Sequence, residues 1–324
     1  MRRPCTAKGL LGLCVLAFAT VSILPRAMAQ LHSMSKEELI KYTSKNPFER
    51  FPDGRPKVPD TLLEKVREMS AEEVLAIARQ GYPHQFVGNL QSLSPGKTLV
   101  GRAFTLQLMP QRAEIADVTA DEWSAKGLGR LSHQTALDML QEGDVFVVDA
   151  FGNLDAGGIV GDNLAYYVWK TTKAGFVIDG AIRDLEGIAK FNMPGYHRGA
   201  VPPAINSVMV TGINVPVRIG NTTVMPGDVV LGDREGVFFI PPHLVQEIVN
   251  EAEITHVHDE WTKKKFDEGK YKSTEIYGRP SDPALIKEYE DYLKQKVGTE
   301  AYARYEQRQR QLQQRRSGAQ GTQR

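Results

Sequence analysis

Between residues 99 and 240 the chain alternates short β-rich apolar runs with helical segments, and few fold classes accept that order. The β-rich runs are bounded by Gly, Pro or Asp and cover 99–108, 144–150, 176–179, 215–219 and 237–240. Apolar residues at helical spacing fall between several of them, over 132–140, 162–172 and 185–191. Strands joined through helices need a central sheet with helices covering it, so the expectation is an α/β domain. The run 229–231 and the last strand, 237–240, flank Gly232-Asp233-Arg234-Glu235-Gly236 and read as a late hairpin. A long helix is expected from Pro242 past Trp261, and another over 283–296.

The ends of the 324-residue chain differ in character from this centre. Arg2, Arg3 and Lys8 precede an apolar run over 9–24, and Ala27-Met28-Ala29 supplies a small-x-small cleavage pattern. Residues 1–29 are therefore expected to be a signal peptide cut before Gln30, which makes the protein periplasmic or secreted. An apolar run of about 16 residues is short for a membrane span, which weighs against an uncleaved anchor. Both cysteines, Cys5 and Cys14, fall in this segment, so the cleaved chain has neither thiol nor disulfide. Loss of Arg2, Arg3, Lys8 and Arg26, with no acid among them, takes the net charge from +1 to −3. A near-neutral chain of that kind has no general attraction to nucleic acid.

Residues 30–60 are polar and broken by Asn46-Pro47 and Phe51-Pro52-Asp53-Gly54, and read as an arm over the domain. Asp60 can cap a helix running to 68, and Ser70 with Glu73 makes a capping box for another over 71–79. The main domain is placed at 61–278, with a helical extension over 279–306. From 307 the chain is rich in Gln and Arg without apolar periodicity, and a disordered basic tail is expected to 324.

Two short motifs carry chemistry. Gly157, Gly158 and Gly161 lead into Asp162-Asn163-Leu164, the start of a helix, where exposed backbone N–H groups can receive a carboxylate or phosphate. The competing reading is a plain turn in which Asp162 caps the helix. The strand 176–179 then ends in Gly180-Ala181-Ile182-Arg183-Asp184, beyond the carboxyl end of a strand, where α/β sheets bind ligands. Arg183 can grip a carboxylate with two hydrogen bonds, and Asp184 can bind a hard cation. Here the competing reading makes Asp184 the cap of the next helix. Gly187 stands where a capping box wants Glu. Together the two motifs supply a carboxylate cradle, a guanidinium and a metal-binding acid, which is what a 2-oxo acid needs.

Gly161-Asp162-Asn163-Leu164-Ala165 followed by Gly180-Ala181-Ile182-Arg183-Asp184 resembles the signature of the regulator of ribonuclease activity A-like superfamily. Its enzymatic branch is the 4-hydroxy-4-methyl-2-oxoglutarate / 4-carboxy-4-hydroxy-2-oxoadipate aldolases. Gly143-Asp144-Val145, Gly227-Asp228-Val229 and Gly236-Val237 match in context, and the resemblance spans roughly residues 62–269. It implies a compact α/β/α domain with a central barrel-like mixed sheet, with the N-terminal arm and C-terminal helical extension outside it. It implies assembly as a homotrimer or homohexamer. By the same resemblance, the backbone of Gly161, Asp162, Asn163 and Leu164 and the side chain of Arg183 hold pyruvate. Asp184 is the single direct protein ligand of Mg²⁺ or Mn²⁺, and Asp162 acts through water. The family also draws an acid from a neighbouring subunit's C-terminal helix, for which Asp259 and Glu260 are the candidates. Ribonuclease-binding members lack the acid after the Arg; here it is Asp184.

The expected function is a divalent-metal-dependent lyase that cleaves a 4-hydroxy-2-oxo diacid to pyruvate, with oxaloacetate decarboxylation open to it through the same enolate. The competing expectations are a non-catalytic regulator on the same scaffold and a metal-dependent lyase or isomerase for another hydroxy or sugar acid. Gly96-Lys97-Thr98 is no phosphate loop, because Gln91 occupies the position of the required upstream glycine. His256 and His258 are two apart on an expected helix and point to different sides.

Overall fold

In the computed structural model, which describes residues 33–75, 81–125, 132–278 and 280–321, the polar N-terminal region carries helix α1 (Lys36–Tyr42). Helices α2 (Asp60–Arg67) and α3 (Ala71–Val74) follow. Short strands β1 (Phe86–Val87) and β2 (Gln91–Ser92) precede the long β3 (Leu99–Pro110). Next come α4 (Ala113–Ala125), α5 (His133–Leu137), β4 (Asp144–Asp149), α6 (Asp162–Thr172), β5 (Gly175–Ile182) and α7 (Leu185–Ile188). The strands β6 (Gly195–Ala200), β7 (Val208–Ile213), β8 (Val217–Ile219), β9 (Thr222–Val224), β10 (Val229–Gly232) and β11 (Val237–Ile240) complete the sheets. Helices α8 (Pro242–Asp267), α9 (Ser273–Ile276) and α10 (Pro283–Gly321) close the described chain. The expected signal segment, 1–29, lies outside the described residues, as does the end of the helix expected over 71–79.

The main sheet runs β1-β11-β10-β3-β4-β5-β6-β2, with β3 to β6 mutually parallel and the flanking pairs antiparallel. One edge of β3 serves two neighbours, β10 along 99–102 and β7 along 106–110, with a register shift between Gln107 and Leu108. A strand shared in this way bends between its partners, and the sheet curls. Its inner side is a core made by strands: Ala103, Val145, Val147, Val177, Val217, Val230 and Phe239 pack together there. Two outer cores complete the α/β/α arrangement. Trp123, Leu137, Val168 and Ile188 from α4–α7 pack on Phe104, Phe146 and Ile178. Leu63, Val66 and Val74 from α2 and α3, with Val245 and Ile248 from α8, pack on Val100, Leu231 and Ile240. This is the mixed α/β fold expected, with a central mixed sheet and helices at both ends of the chain. All six residues of β4 and all eight of β5 are buried, as parallel strands covered on both faces must be.

Several elements differ from the sequence expectation. The strand expected over 215–219 starts at Val217, because Asn214 turns the chain at φ 53 and Pro216 has no N–H for a ladder. The helix expected from 132 is shorter, with Ser132 at its N-cap and α5 ending at Leu137. Asp60 is the first helical residue of α2, and Pro59 holds the N-cap position. The tail expected to be disordered from 307 is helical to Gly321. Gln, Arg and Glu are good helix formers without any apolar face, and Arg304–Glu300 at 2.9 Å adds an i,i+4 pair. Gly298, at φ 79, interrupts α10, whose first half packs Tyr289 and Leu293 against Trp261 and Ile276. Among the described residues no helix is long and apolar enough to cross a membrane.

Candidate active site

The site forms where the loop after β4 lies against the carboxyl end of β5. Ile159 N donates to Ala181 O at 2.9 Å, and Arg183 N donates to Val160 O at 3.0 Å. Gly158 N donates to Pro203 O at 2.9 Å, which joins the same loop to the chain beyond β6. These backbone bonds bring the glycine-rich entry of α6 beside Arg183 and Asp184, two motifs separated by a whole helix and strand in sequence.

Gly161 is the N-cap of α6 at φ −108, and no side chain caps that helix end. A Cβ at Gly161 would collide with the Asp184 carboxylate and lie 3.0 Å from Arg183 Nε. The glycine is required by this close approach, which sets a carboxylate and a guanidinium directly against the start of the helix. Asp162 follows as the first helical residue, with its Oδ1 accepting from Asn163 N at 2.8 Å. A Cβ at Gly187 would lie 2.6 Å from Asp162 Cβ, so the absent capping-box acid makes room for Asp162.

Asp184 stands at the N-cap position of α7, yet its side chain makes no capping hydrogen bond. Its backbone is left-handed, φ 59 and ψ 42, a region that Asp tolerates better than most residues. The carboxylate's nearest cationic partner is Arg183 Nη1 at 3.5 Å, and the two side chains are 35% and 39% exposed. Both groups thus remain partly open to a ligand.

Other acids at these strand ends are committed to structure. Asp149 and Asp179 are register partners on the inner side of the sheet. Asp179 bonds Arg198 and accepts from Gly220 N at 2.7 Å, while Asp149 accepts from Phe151 N at 2.9 Å and Arg218 N at 3.1 Å. Burial raises the Asp149 pKa.

A cavity of about 210 Å³ opens beside Arg183, lined also by Gly161, Asn163 and Leu164. It is walled further by His133, Gln134, Ala204 and Ile205. These four carried no functional signal in the sequence, since they sit in a helix start and a loop far from either motif. Asp162 and Asp184 stand at its edge, joined to it through Gly161. Asp259 and Glu260 are not brought to the site within this chain, because α8 packs against α2, α3, α9 and α10. Glu260 is held by Tyr292 Oη at 2.8 Å and Lys296 Nζ at 2.6 Å, hydrogen bonds that keep its carboxyl below the usual range. Asp259 lies 3.5 Å from His258 Nδ1.

The donor set suits a hard divalent cation. Among the described residues no three His, Cys, Asp or Glu side chains converge. One uncapped, accessible carboxylate with open space around it fits an ion such as Mg²⁺, which keeps most of its coordination from water and substrate.

The family model described as Aldolase/RraA, RraA-like, matches residues 63–239, more than half of the chain. The chain belongs to the RraA-like family. Relatives of this RraA-like chain include a Thermus thermophilus protein named 4-hydroxy-4-methyl-2-oxoglutarate aldolase, 30% identical over 99 residues, 31% of this chain and 60% of that one. A Halalkalibacterium halodurans protein provisionally given the same aldolase name is 36% identical over 118 residues, 36% of this chain and 56% of its own length. The chain therefore spans little more than half the length of these curated relatives. A solved structure, RraAS2 from Streptomyces coelicolor, is titled an unusual member of the RNase ES inhibitor RraA protein family. It is 29% identical with a TM-score of 0.53, covering 68% of this chain and 99% of that one.

Proposed function

We propose that this RraA-like protein is a divalent-metal-dependent carbon–carbon lyase that releases pyruvate from a 4-hydroxy-2-oxo diacid. Decarboxylation of oxaloacetate through the same enolate belongs to the proposal. The observation that carries it is the uncapped Asp184 carboxylate beside Arg183, packed against the glycine start of α6. The aldolase names of the relatives agree with it.

In this reading the α6 amides and the Arg183 guanidinium hold the substrate carboxylate and orient the 2-oxo group. Asp184 would hold the cation, which would supply electrostatic stabilisation for negative charge on the 2-oxo oxygen. The C3–C4 bond breaks with its electron pair passing toward C2, and the C4 hydroxyl loses its proton as the new carbonyl forms. Arg183 lies beside the developing enolate and offsets its charge. Asp162 orients a water that carries the hydroxyl proton away and returns one to C3, which gives pyruvate. A neighbouring copy's acid assists in a trimer or hexamer, and Asp259 is the freer candidate because Glu260 is engaged by Tyr292 and Lys296. Export of the protein, with a mature start at Gln30, is part of the same proposal and is checked by sequencing the N-terminus of the native protein.

The test is pyruvate release from oxaloacetate and from a 4-hydroxy-2-oxo diacid with Mg²⁺ or Mn²⁺. The expected result is activity abolished by EDTA and by Asp184→Asn; activity that survives both removes the metal from the account. The likeness to RraAS2 favours one alternative, a binding protein without turnover. That alternative predicts no pyruvate and partner binding indifferent to Arg183 and Asp184.

A further inference from the structure

A second cavity, of about 250 Å³, adjoins the candidate active site. It lies between α4, the start of α5 and β7, with Leu108, Ala120 and Val210 as apolar wall and Gln111, Thr119 and Asn206 as neutral polar wall. His133 and Ile205 line both this cavity and the one beside Arg183. The two spaces therefore meet at an imidazole.

That imidazole has no hydrogen-bond partner among the described residues, although it is half-buried. Burial pushes its pKa down, so at neutral pH the ring carries one donor nitrogen and one acceptor nitrogen. An unpartnered ring with one donor and one acceptor nitrogen facing both cavities is matched by a ligand hydroxyl, itself both donor and acceptor.

We propose that His133 is a specificity-determining residue that reads the hydroxyl beyond C3 of the bound 2-oxo acid, with the rest of the substrate chain running into the second cavity. The inference rests on the lyase reading and deepens it. With the carboxylate end against α6 and Arg183, the rest of that cavity's wall is His133, Gln134, Ala204 and Ile205, and of these His133 and Ile205 also line the second cavity. The substrate class is then a 2-oxo acid with a 4-hydroxyl and further carbons beyond C4, housed against mixed apolar and neutral polar walls. A site built to hydrogen-bond a substrate hydroxyl discriminates strongly against analogues without one.

The experiment compares kcat and KM for oxaloacetate, which has neither the hydroxyl nor a carbon beyond C4, with those for a 4-hydroxy-2-oxo acid that extends further. Wild type, His133→Ala, His133→Gln and Met209→Trp are measured with the full chain, alongside their unfolding midpoints. Met209 is half-buried and lines the second cavity but not the one beside Arg183, so a larger side chain there narrows the second space while His133 is kept. The expected result is at least a tenfold fall in the ratio of kcat/KM, long substrate over oxaloacetate, in His133→Ala and in Met209→Trp. His133→Gln, which keeps a donor and an acceptor, recovers part of it. A proportional loss on both substrates, or an unchanged ratio, overturns the proposal while leaving the lyase reading standing. Should His133→Ala fail to fold, an unchanged ratio in Met209→Trp overturns it equally. A wild-type protein inactive on both substrates sinks the lyase reading and this proposal with it.

Discussion

At Gly161 the absence of one carbon decides whether three functional groups can meet. Its φ of −108 is open to alanine, so Gly161→Ala carries no backbone strain, and its cost falls on the Asp184 carboxylate and the Arg183 guanidinium. The expected outcome is a loss in kcat/KM of at least ~100-fold, comparable to removing one preorganised electrostatic group. Stability, read by denaturant unfolding, shifts by less than about 1 kcal/mol, since the displaced carboxylate can swing into solvent. Asp228 tests a different kind of residue. It is buried, bonded to Met225 N at 2.8 Å, and burial pushes its pKa up to about 7. Its folded pKa exceeds the unfolded one, so the folded state binds more protons between pH ~4 and 7 and stability falls as pH rises through that window. Asp228→Asn keeps the acceptor oxygen and removes the titration. Relative to wild type its unfolding free energy should therefore rise from pH 4 to 7, with an upper bound of about 4 kcal/mol. A constant difference across that range contradicts the assignment.

Elements were legible in sequence where periodicity and punctuation agreed. The span of α6, 162–172, follows from its glycine entry and apolar face, and the Ser70 and Glu73 pair marks the start of α3 with Ser70 N to Glu73 Oε2 at 2.7 Å. No periodicity marks the 13-residue α4, because its apolar residues are scattered and Val118 is exposed. The register of β3, with two neighbours on one edge, depends on pairing between residues far apart in the chain, such as Pro110 with Val208 and Leu99 with Gly232, which no local pattern records. The contacts of the N-terminal segment are hidden from local pattern for the same reason. Arg55 has no exposed side-chain surface and bonds Asp144 at 2.9 Å and Asp53 at 2.7 Å, between the rings of Phe51 and Phe104. One arginine thus anchors the turn at 51–56 to the first residue of β4. Arg55→Met leaves Asp144 buried without its cation and should cost ~3–5 kcal/mol in denaturant unfolding. A change below 1 kcal/mol would show that the pair is dispensable to the fold.

In the whole molecule, the curled sheet places every parallel strand end on the side where the loop after β4 returns, and there it separates two uses of the same chemistry. Asp149 and Asp179 face inward and are spent on backbone amides and arginine, while Asp184, two residues past β5, is left uncapped and accessible. The sequence supplied the pairing of Gly161 with Arg183 and Asp184 as motifs. Distinguishing a free carboxylate from a helix cap required the backbone geometry at 184. His133 and the second cavity were not legible at all, because three separate segments of chain form their walls. The most direct test of the central claim is Mn²⁺ titration with pyruvate present, read by the loss of the free-ion electron paramagnetic resonance signal, in wild type and Asp184→Asn. Asparagine is also at ease in the left-handed backbone conformation, so the substitution removes a charge and little else. One Mn²⁺ bound per wild-type chain, with affinity falling at least tenfold in Asp184→Asn at an unchanged unfolding midpoint, is the predicted result. Equal Mn²⁺ binding by the two proteins, or none by either, would contradict the account.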